Sequence, residues 1–451
     1  MPNSPDSLGS SPKPLEVIIV GGGPCALATA ISVTLAGHKA TIFEAAEKAH
    51  SFGAGLQSSP NGTQLFSRWG LYDILKPVAT APTLLHIHSL DGRPLARRES
   101  YEDEVLRRYG SPLWTFQRVD LQAGLHRRAI ELGVNINYSS RVIEFASSRP
   151  GIELENGERH HGDLVVVADG TWSTLRSKVL GEPINPQPTG DMAYRIDIDR
   201  AQIQDKELLK LMSLQQIRLW VGPGSFAVGY PVGGGTKFSV LLLLPDNFQT
   251  GNSSASAIIE EMRKRLKDWD PISMSLTAML DVVRRVNKWR LVHGELFIRG
   301  NYSSEEISLT NDISTVPPPP TLLASQTMCV LAGDCGHSIP PFLEQSLNLG
   351  LEDAATLGCL LSHVTSLTQL PRATALYDRL RTSRARELLE ETEIHEGELR
   401  MANGKLQMRR DNEMAESLNK DNDWMYPKIQ EWIWSYDAYE EAEKAYLNEP
   451  Y

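Results

Sequence analysis

The sequence predicts an α/β protein in which a discontinuous Rossmann-type domain is interrupted by an inserted, mostly antiparallel β-sheet and followed by a helical C-terminal region. Three observations predict this fold class. Apolar runs at residues 15–20, 164–168 and 328–332 each stop abruptly beside a glycine, as buried parallel strands do. The intervening chain alternates in hydrophobicity between glycine-rich turns, which is typical of antiparallel strands. Beyond Glu352 nearly every residue is compatible with a helix.

Length and composition limit the classes of protein that fit. A chain of 451 residues exceeds the roughly 250–300 residues that one hydrophobic core serves, so we expect two or three domains. With 41% hydrophobic and 22% charged residues, the chain is globular. The net charge of −11 argues against nucleic acid as a partner. No apolar stretch approaches the roughly 20 residues that span a bilayer, so we expect no membrane span.

The cysteines and the N-terminus indicate a compartment. Four cysteines without a C-x-x-C pair suggest neither a disulfide framework nor a zinc ribbon, and the eleven histidines show no ligand spacing, so no metal site is predicted. Residues 1–14 are polar and lack the apolar core of a signal peptide, so we expect a disordered lead-in and a cytoplasmic protein.

The first strand leads into the turn Gly21-Gly-Gly-Pro-Cys-Ala26, which is followed by a helix-compatible segment and a second strand that ends at Glu44. Gly21 permits the sharp reversal, Gly23 permits close approach of a pyrophosphate, and Ala26 is small enough for the helix to pack on the strand. Glu44 is placed to accept hydrogen bonds from ribose hydroxyls. A dinucleotide site is therefore predicted, with a plain strand-to-helix turn as the alternative, and NAD and FAD stay undistinguished.

Three further segments carry chemistry-bearing residues in order along the chain. They read GAGLQSSPN at residues 53–61, DLVVVADGTWSTLR at 163–176 and GDCGHSIPP at 333–341. A buried Asp334 carboxylate needs hydrogen-bond donors, although an aspartate there is also suited to cap a helix. Asp169 has the alternative of a simple Asp-Gly turn. Arg176 in the second segment has the alternative of an ordinary surface arginine.

These motifs, in this order, resemble those of the single-component (group A) FAD-dependent aromatic monooxygenases, and the segments Ala193-Tyr-Arg195 and Gly229-Tyr-Pro231 are similar to the fungal salicylate-hydroxylase-like branch. The resemblance implies FAD as cofactor, NADH or NADPH as co-substrate, and O2. Its chemistry is hydroxylation or epoxidation of a small phenolic or indole aromatic through a flavin C4a-hydroperoxide, in secondary metabolism. A flavin oxidase, reductase or halogenase, or an impaired FAD-binding relative, stays as the alternative. The oligomeric state is expected to be monomer or homodimer.

The resemblance also implies roles for individual residues. Gly55, Arg118, Asp169 and Asp334 match positions near FAD. Arg195 and Tyr230 match strand positions that face the substrate, where an arginine orients or donates to a substrate oxygen; a solvent-paired arginine and a core tyrosine are the alternatives.

One segment departs from the family pattern. Where relatives carry Pro, then Ala or Gly, Gln, Gly and Asn, this chain reads Pro341-Phe-Leu-Glu344-Gln-Ser346-Leu-Asn348. Ser346, Leu347 and Asn348 are expected beside the flavin, and Pro341 and Glu344 beside the substrate. We consider two roles for Glu344: it pairs with an amine or indole N–H in the pocket, or it lies in the first helical turn and points away.

The domain division predicted from these segments uses nearly the whole chain. Residues 15–80, 105–182 and 328–395 form the FAD-binding domain, residues 81–104 and 183–327 the substrate domain, and residues 396–451 the helical C-terminal region.

Overall fold

The structure is a computed structural model that describes residues 13–49, 54–147, 149–181, 186–246, 255–269, 275–283, 286–293, 328–417 and 427–451. It is a mixed α/β fold with a helical C-terminal region, so the predicted fold class is confirmed. Most of the predicted lead-in and Gly53 lie outside the described residues. So do Trp424 of the acidic C-terminal tail and residues 302–327, where the sparse apolar periodicity predicts a long loop.

The secondary structure follows the predicted pattern of strands, inserted strands and terminal helices. The strands are β1 (Glu16–Val20), β2 (Lys39–Phe43), β3 (Gly55–Ser58), β4 (Leu84–Ser89), β5 (Pro94–Arg98), β6 (Trp114–Gln117), β7 (Asn135–Asn137), β8 (Val142–Phe145), β9 (Gly151–Leu154), β10 (Arg159–His161), β11 (Leu164–Val167), β12 (Gln187–Asp199), β13 (Gln216–Gly222), β14 (Ser225–Val232), β15 (Lys237–Pro245), β16 (Val286–His293) and β17 (Cys329–Leu331). The α-helices are α1 (Pro24–Leu35), α2 (Pro60–Arg68), α3 (Tyr72–Leu75), α4 (Tyr101–Tyr109), α5 (Arg118–Glu131), α6 (Arg176–Leu180), α7 (Lys206–Ser213), α8 (Ala255–Arg265), α9 (Ser275–Val282), α10 (Asp334–His337), α11 (Ser346–Ser362), α12 (Leu370–Leu399), α13 (Lys405–Ser417), α14 (Pro427–Trp434) and α15 (Ala438–Asn448).

Five parallel strands form the sheet that positions the predicted dinucleotide site. Their order is β17-β11-β1-β2-β7. β11 is buried along its whole length and β1 is buried from Val17 to Val20, as expected for a parallel sheet covered on both faces, whereas the edge strand β17 is only partly buried. Because β1 lies between β11 and β2, the turns at the carboxyl ends of these strands meet at one edge, and that edge is where ligands bind in open α/β sheets.

A second, seven-stranded sheet has the order β16-β12-β15-β14-β13-β4-β5. All its neighbouring pairs are antiparallel except β13 with β4, so the predicted mostly antiparallel sheet is confirmed. β4 and β5 join this sheet although 88 residues separate β5 from β12 in the chain. The domain bounds given above stay a prediction.

The C-terminal helices pack on both sheets. α15 contacts α11, and Ala438 and Ala442 lie in the same core as the parallel sheet. In α14, the Trp434 ring meets Tyr109 edge-on with centroids 5.3 Å apart, and the Arg384 guanidinium lies 4.3 Å from the Trp432 ring. Tryptophans among the acidic residues of the tail are expected to pack against the rest of the protein, and Trp432 and Trp434 do so.

Candidate functional site

A cavity of about 270 Å³ lies at the carboxyl ends of the parallel strands, and we call it the strand-end cavity. Five residues singled out in the sequence line it, namely Gly21, Gly23, Glu44, Arg118 and Asp169. They come from four distant segments, and the strand order brings them together. The cavity is therefore where the predicted dinucleotide site should be.

The glycine turn needs glycine at two positions, for two different reasons. At Gly21, φ is +108° and an added Cβ would lie 2.4 Å from the carbonyl oxygen of Ala168, so the protein itself excludes a side chain. At Gly23, an added Cβ would meet no protein atom within 4 Å, so the bare backbone faces open cavity. Pro24 begins α1, and Ala26 is fully buried and does not line the cavity. The first turn of α1 thus presents its positive end to an anion.

Two carboxylates flank the strand-end cavity. Glu44 follows β2, and its Oε1 accepts a hydrogen bond of 2.7 Å from the backbone N–H of Ala46. Asp169 follows β11, and burial raises the pKa of its carboxyl group. The Oδ1 atom of Asp169 is buried without a hydrogen-bond partner. An unsatisfied buried acceptor at this edge fits a ligand that brings a hydroxyl or amide donor.

A second cavity, of about 210 Å³, adjoins the first, and we call it the central cavity. The two share Gly23, Arg118, Ala168 and Gly170, so they form neighbouring parts of one elongated site. The other predicted residues that line the central cavity are Arg195, Asp334, Pro341, Glu344, Ser346 and Leu347.

Asp334 begins α10 directly after the β17 strand. Its Oδ1 accepts a 2.5 Å hydrogen bond from the Ser346 hydroxyl, and its Oδ2 accepts one of 3.3 Å from the Thr171 hydroxyl. Ser346 is the first residue of α11, where a Cβ is accommodated, and it fixes the orientation of the Asp334 carboxylate. The departure from the family pattern at this position therefore adds a hydrogen bond inside the site.

A third cavity, of about 110 Å³, lies between the seven-stranded sheet and the C-terminal helices, and we call it the apolar cavity. Its walls include Leu219, Phe226 and Phe342, with Trp434 from α14. Gln57 and Glu344 line both the apolar and the central cavity, so the two cavities adjoin at these residues, and we call this place the junction. His395 also lines the apolar cavity, and burial lowers its pKa to about 4, so this imidazole is neutral at pH 7.

The alternative that places Glu344 in the first turn of a helix is wrong. Helix α11 begins at Ser346 with Gln345 as its N-cap, and Glu344 precedes both in the left-handed region, with φ of +53°. Its carboxylate lines two cavities, and its Oε1 is buried without a hydrogen-bond partner. Burial raises the pKa of Glu344 to about 7, and the positive charge of Arg195 opposes this increase.

Sequence reasoning missed the residues that anchor this segment. The Gln345 amide donates to the Ser59 hydroxyl at 3.0 Å and accepts from the Asn61 amide at 3.1 Å. Asn348, predicted beside the flavin, is instead fully buried: it donates to Ser59 at 3.1 Å and to the carbonyl of Glu344 at 3.2 Å. Gln345 and Asn348 are evident in the sequence, but Ser59, to which both donate, lies more than 280 positions earlier.

The two predicted catalytic residues lie near each other but differ in access. Arg195 lines the central cavity, and its Nη1 donates to the carbonyl of Gly55 at 3.0 Å. Tyr230 is only 1% exposed and lines none of the three cavities, and its hydroxyl has no hydrogen-bond partner. A Cβ added at Gly55 would lie 2.9 Å from the Tyr230 ring, so the Gly55 backbone packs closely on the tyrosine, and Gly55 itself lines none of the three cavities. Burial and the nearby Glu344 raise the pKa of Tyr230, and it stays protonated.

A buried ion network supports the Gly333–Asp334 turn. Asp353 Oδ2 accepts from the backbone N–H of Gly333 at 2.7 Å and from His337 Nε2 at 2.6 Å. Its Oδ1 accepts from Arg381 Nε at 2.7 Å, and Arg381 also reaches Glu352 at 3.0 Å. Although burial opposes ionisation, these cationic partners hold the pKa of Asp353 at about 2. His337 is thus a structural residue that helps to hold the turn in place.

Arg176 is not the surface arginine that one reading of the sequence allowed. It is 1% exposed, and its Nη1 donates to the carbonyls of Thr171 and Cys335 at 3.2 and 3.3 Å. It therefore ties the loop after β11 to the turn after β17.

Among the described residues, one group has metal-ligand geometry: Cys359, His363 and Glu443 place their ligand atoms within 4.8 Å of one another. None of the three lines a cavity described above. Glu443 Oε2 accepts hydrogen bonds from His363 at 2.7 Å and Cys359 at 3.7 Å, so the group is explained as a contact between α11 and α15.

Comparison with known proteins identifies relatives along the whole chain. A family model described as FAD binding domain matches residues 14–208. A FAD-dependent monooxygenase of Beauveria bassiana is 34% identical over 449 residues, which cover 98% of this chain and 99% of that protein. A 3-hydroxybenzoate 6-hydroxylase of Polaromonas naphthalenivorans is 23% identical over 381 residues, 84% of this chain and 86% of that protein.

Solved structures agree on the fold. A structure of CtdE with FAD and a substrate has a TM-score of 0.77 at 18% identity, over 96% of this chain and 98% of that one. A salicylate hydroxylase substrate complex has a TM-score of 0.71 at 20% identity, again over 96% and 98%. Within the part of the chain that is described, no helix combines the length and apolarity needed to cross a bilayer.

Proposed function

Since the chain belongs to the FAD-dependent aromatic monooxygenases, we propose that it is an NAD(P)H- and O2-dependent enzyme that hydroxylates or epoxidises an electron-rich phenolic or indole compound. FAD, once bound and reduced by NADH or NADPH, supplies activated oxygen for transfer to an aromatic carbon. The enzyme class and the cofactor follow from the family, whereas the reductant and the substrate class are the proposal.

One observation carries the proposal: the apolar cavity adjoins the central cavity, and Gln57 and Glu344 line both of them. An aromatic molecule held by the apolar walls would place one edge at this junction. The central cavity adjoins the glycine turn, so the substrate edge and the redox cofactor would meet there. Small-molecule sites combine apolar walls with a few polar groups in this way.

The residues fit FAD on observations of this structure. The open cradle at Gly23 and the start of α1 would hold the pyrophosphate. Glu44 would hold the ribose, since only its Oε1 is engaged with Ala46. Asp334, oriented by Ser346, would accept hydrogen bonds from the ribityl hydroxyls.

The remaining residues would position the substrate and exclude water. Arg195 lies in the central cavity with an Nε atom that has no hydrogen-bond partner, so it would donate to a substrate oxygen. The walls at Leu219, Phe226 and Phe342 keep the junction dry, which favours oxygen transfer to the substrate over loss of oxygen as hydrogen peroxide.

The proposal is tested by purifying the protein with its flavin and supplying NADH or NADPH, 18O2 and a panel of phenols and indoles. Incorporation of one 18O atom into a product supports it. Consumption of NAD(P)H with peroxide as the sole product for every compound would instead indicate an oxidase or reductase.

A matched pair of truncations tests the cavity assignment. Leu219 lines the apolar cavity, whereas Leu241 belongs to the same buried core cluster but does not line it. Both leucine-to-alanine changes should lower stability by about 2–5 kcal/mol. Only Leu219→Ala should raise the KM for the substrate, by roughly tenfold, and an equal KM in the two variants would contradict the assignment.

A further inference from the structure

The backbone at Glu344 is held in a conformation that side-chain-bearing residues rarely adopt. Its φ of +53° lies in the left-handed region, immediately after the 3-10 turn Pro341–Leu343. The backbone N–H of Glu344 donates to the carbonyl of Pro341 at 3.3 Å, and its carbonyl accepts from Asn348 at 3.2 Å. Strain of this kind is concentrated at functional sites and persists when the surroundings impose it.

This backbone places the Glu344 carboxylate at the junction of the apolar and central cavities. The groups near it are the positively charged Arg195 from β12 and the neutral, protonated hydroxyl of Tyr230 from β14. Among the described residues, none donates a hydrogen bond to Oε1 of Glu344. A buried acceptor without a partner is costly, and a donor on a bound molecule would satisfy it.

The titratable residues that line the apolar cavity do not suit an acidic ligand. The titratable residues among its lining are Glu344, His395 and Tyr101, from three different elements. The buried His395 is neutral at pH 7, and Tyr101, whose pKa is raised by burial, is neutral as well. An anion in this cavity would meet the Glu344 carboxylate and no cation among the lining residues, which is unfavourable at low dielectric.

We propose that Glu344 determines substrate specificity: it accepts a hydrogen bond from an O–H or N–H group of an uncharged aromatic compound whose apolar substituent occupies the apolar cavity, and it excludes aromatic carboxylates from that cavity. The inference rests on the proposed function, because it assumes that the junction of the two cavities is the substrate site. It assigns to this chain a selection against aromatic acids such as 3-hydroxybenzoate, after which one relative is named.

The test compares two ligands of similar size, 4-propylphenol and 3-(4-hydroxyphenyl)propanoate, on the FAD-loaded protein without reductant. Binding is followed by the change in flavin absorbance, so no turnover is required. At pH 8 we expect the wild-type protein to bind 4-propylphenol at least tenfold more tightly than the acid. Glu344→Gln should reduce this ratio at least tenfold, because it removes the charge and keeps the volume.

Two further variants make the result specific. Glu344→Gly suits the left-handed backbone, and it should remove the selectivity in the same way. Glu390→Gln, at an exposed position on α12, should keep the wild-type ratio. Flavin content and melting temperature show that each variant is folded.

Three results would overturn the inference: a wild-type preference for the acid, a ratio that Glu344→Gln leaves unchanged, or no binding of either ligand to the wild-type protein. The proposed function has a separate readout. If the wild-type protein binds 4-propylphenol selectively but no product carries 18O, the inference holds as a binding property. The same result would refute the monooxygenase activity on these compounds.

Discussion

Replacing Glu344 by glutamine should stabilise the protein, and the gain should depend on pH. The pKa of Glu344 rises from the ordinary 4.5 to about 7 in the folded protein. The folded state therefore retains this proton between pH 4.5 and 7, where the unfolded state loses it. Stability from this group is fully present below pH 4.5 and is lost as the pH rises through 7.

The size of the effect follows from the shift. A difference of about 2.5 pKa units, at about 1.4 kcal/mol per unit, gives a wild-type loss of roughly 3 kcal/mol between pH 4.5 and 8. Glu344→Gln does not titrate and should avoid this loss. Unfolding 451 residues at about 2.1 cal/mol/K per residue makes 3 kcal/mol equivalent to about 3 °C in Tm.

The assay is thermal unfolding of the FAD-loaded protein at pH 5, 6, 7 and 8. The Tm difference between Glu344→Gln and wild type should grow by about 3 °C from the lowest to the highest pH. Glu390→Gln, which changes an exposed side chain, should follow the wild-type curve throughout. Parallel curves for wild type and Glu344→Gln would refute the reasoning, since they would show that Glu344 titrates alike in both states.

Three other substitutions distinguish residues that support the fold from residues that support the site. Arg381→Leu leaves Asp353 and Glu352 buried with one cationic partner fewer, so the free energy of unfolding should fall by about 3–5 kcal/mol in urea titrations; a loss below about 1 kcal/mol would show that the pairs contribute little. Gly23→Ala meets no protein atom, so the apoprotein should keep its Tm while FAD binds at least tenfold more weakly by fluorescence titration. Gly21→Ala would collide with the carbonyl of Ala168 and should lower the Tm of the apoprotein itself; equal apoprotein Tm values for the two alanine variants would contradict this distinction.

The sequence was sufficient where the determining interactions are local. The run from β1 through the glycine turn to Glu44 is specified by apolar residues and by glycines whose conformations need no distant partner. The parallel strands at 164–167 and 329–331 were recognisable because strands buried on both faces are continuously apolar.

Other features depend on contacts between distant segments, which the sequence alone does not reveal. The backbone of Glu344 is set by Asn348, and that side chain is in turn held by Ser59, 289 positions earlier. The burial of Arg176 depends on the carbonyl of Cys335, which lies 159 positions later in the chain. The roles of Arg195 and Tyr230 in the reaction, and the domain bounds, stay predictions.

The interleaved parallel sheet has a consequence for how the protein is made. β11 acquires its neighbour β17 only after about 160 further residues have been synthesised, which takes roughly 10–30 s at typical translation rates. During that time the open edge of β11, an uninterrupted Leu-Val-Val-Val run, would be available to pair with other chains. Slow, long-range pairing of this kind exposes a chain to aggregation. Growth at low temperature with slow induction should therefore raise the yield of folded protein more than added flavin does.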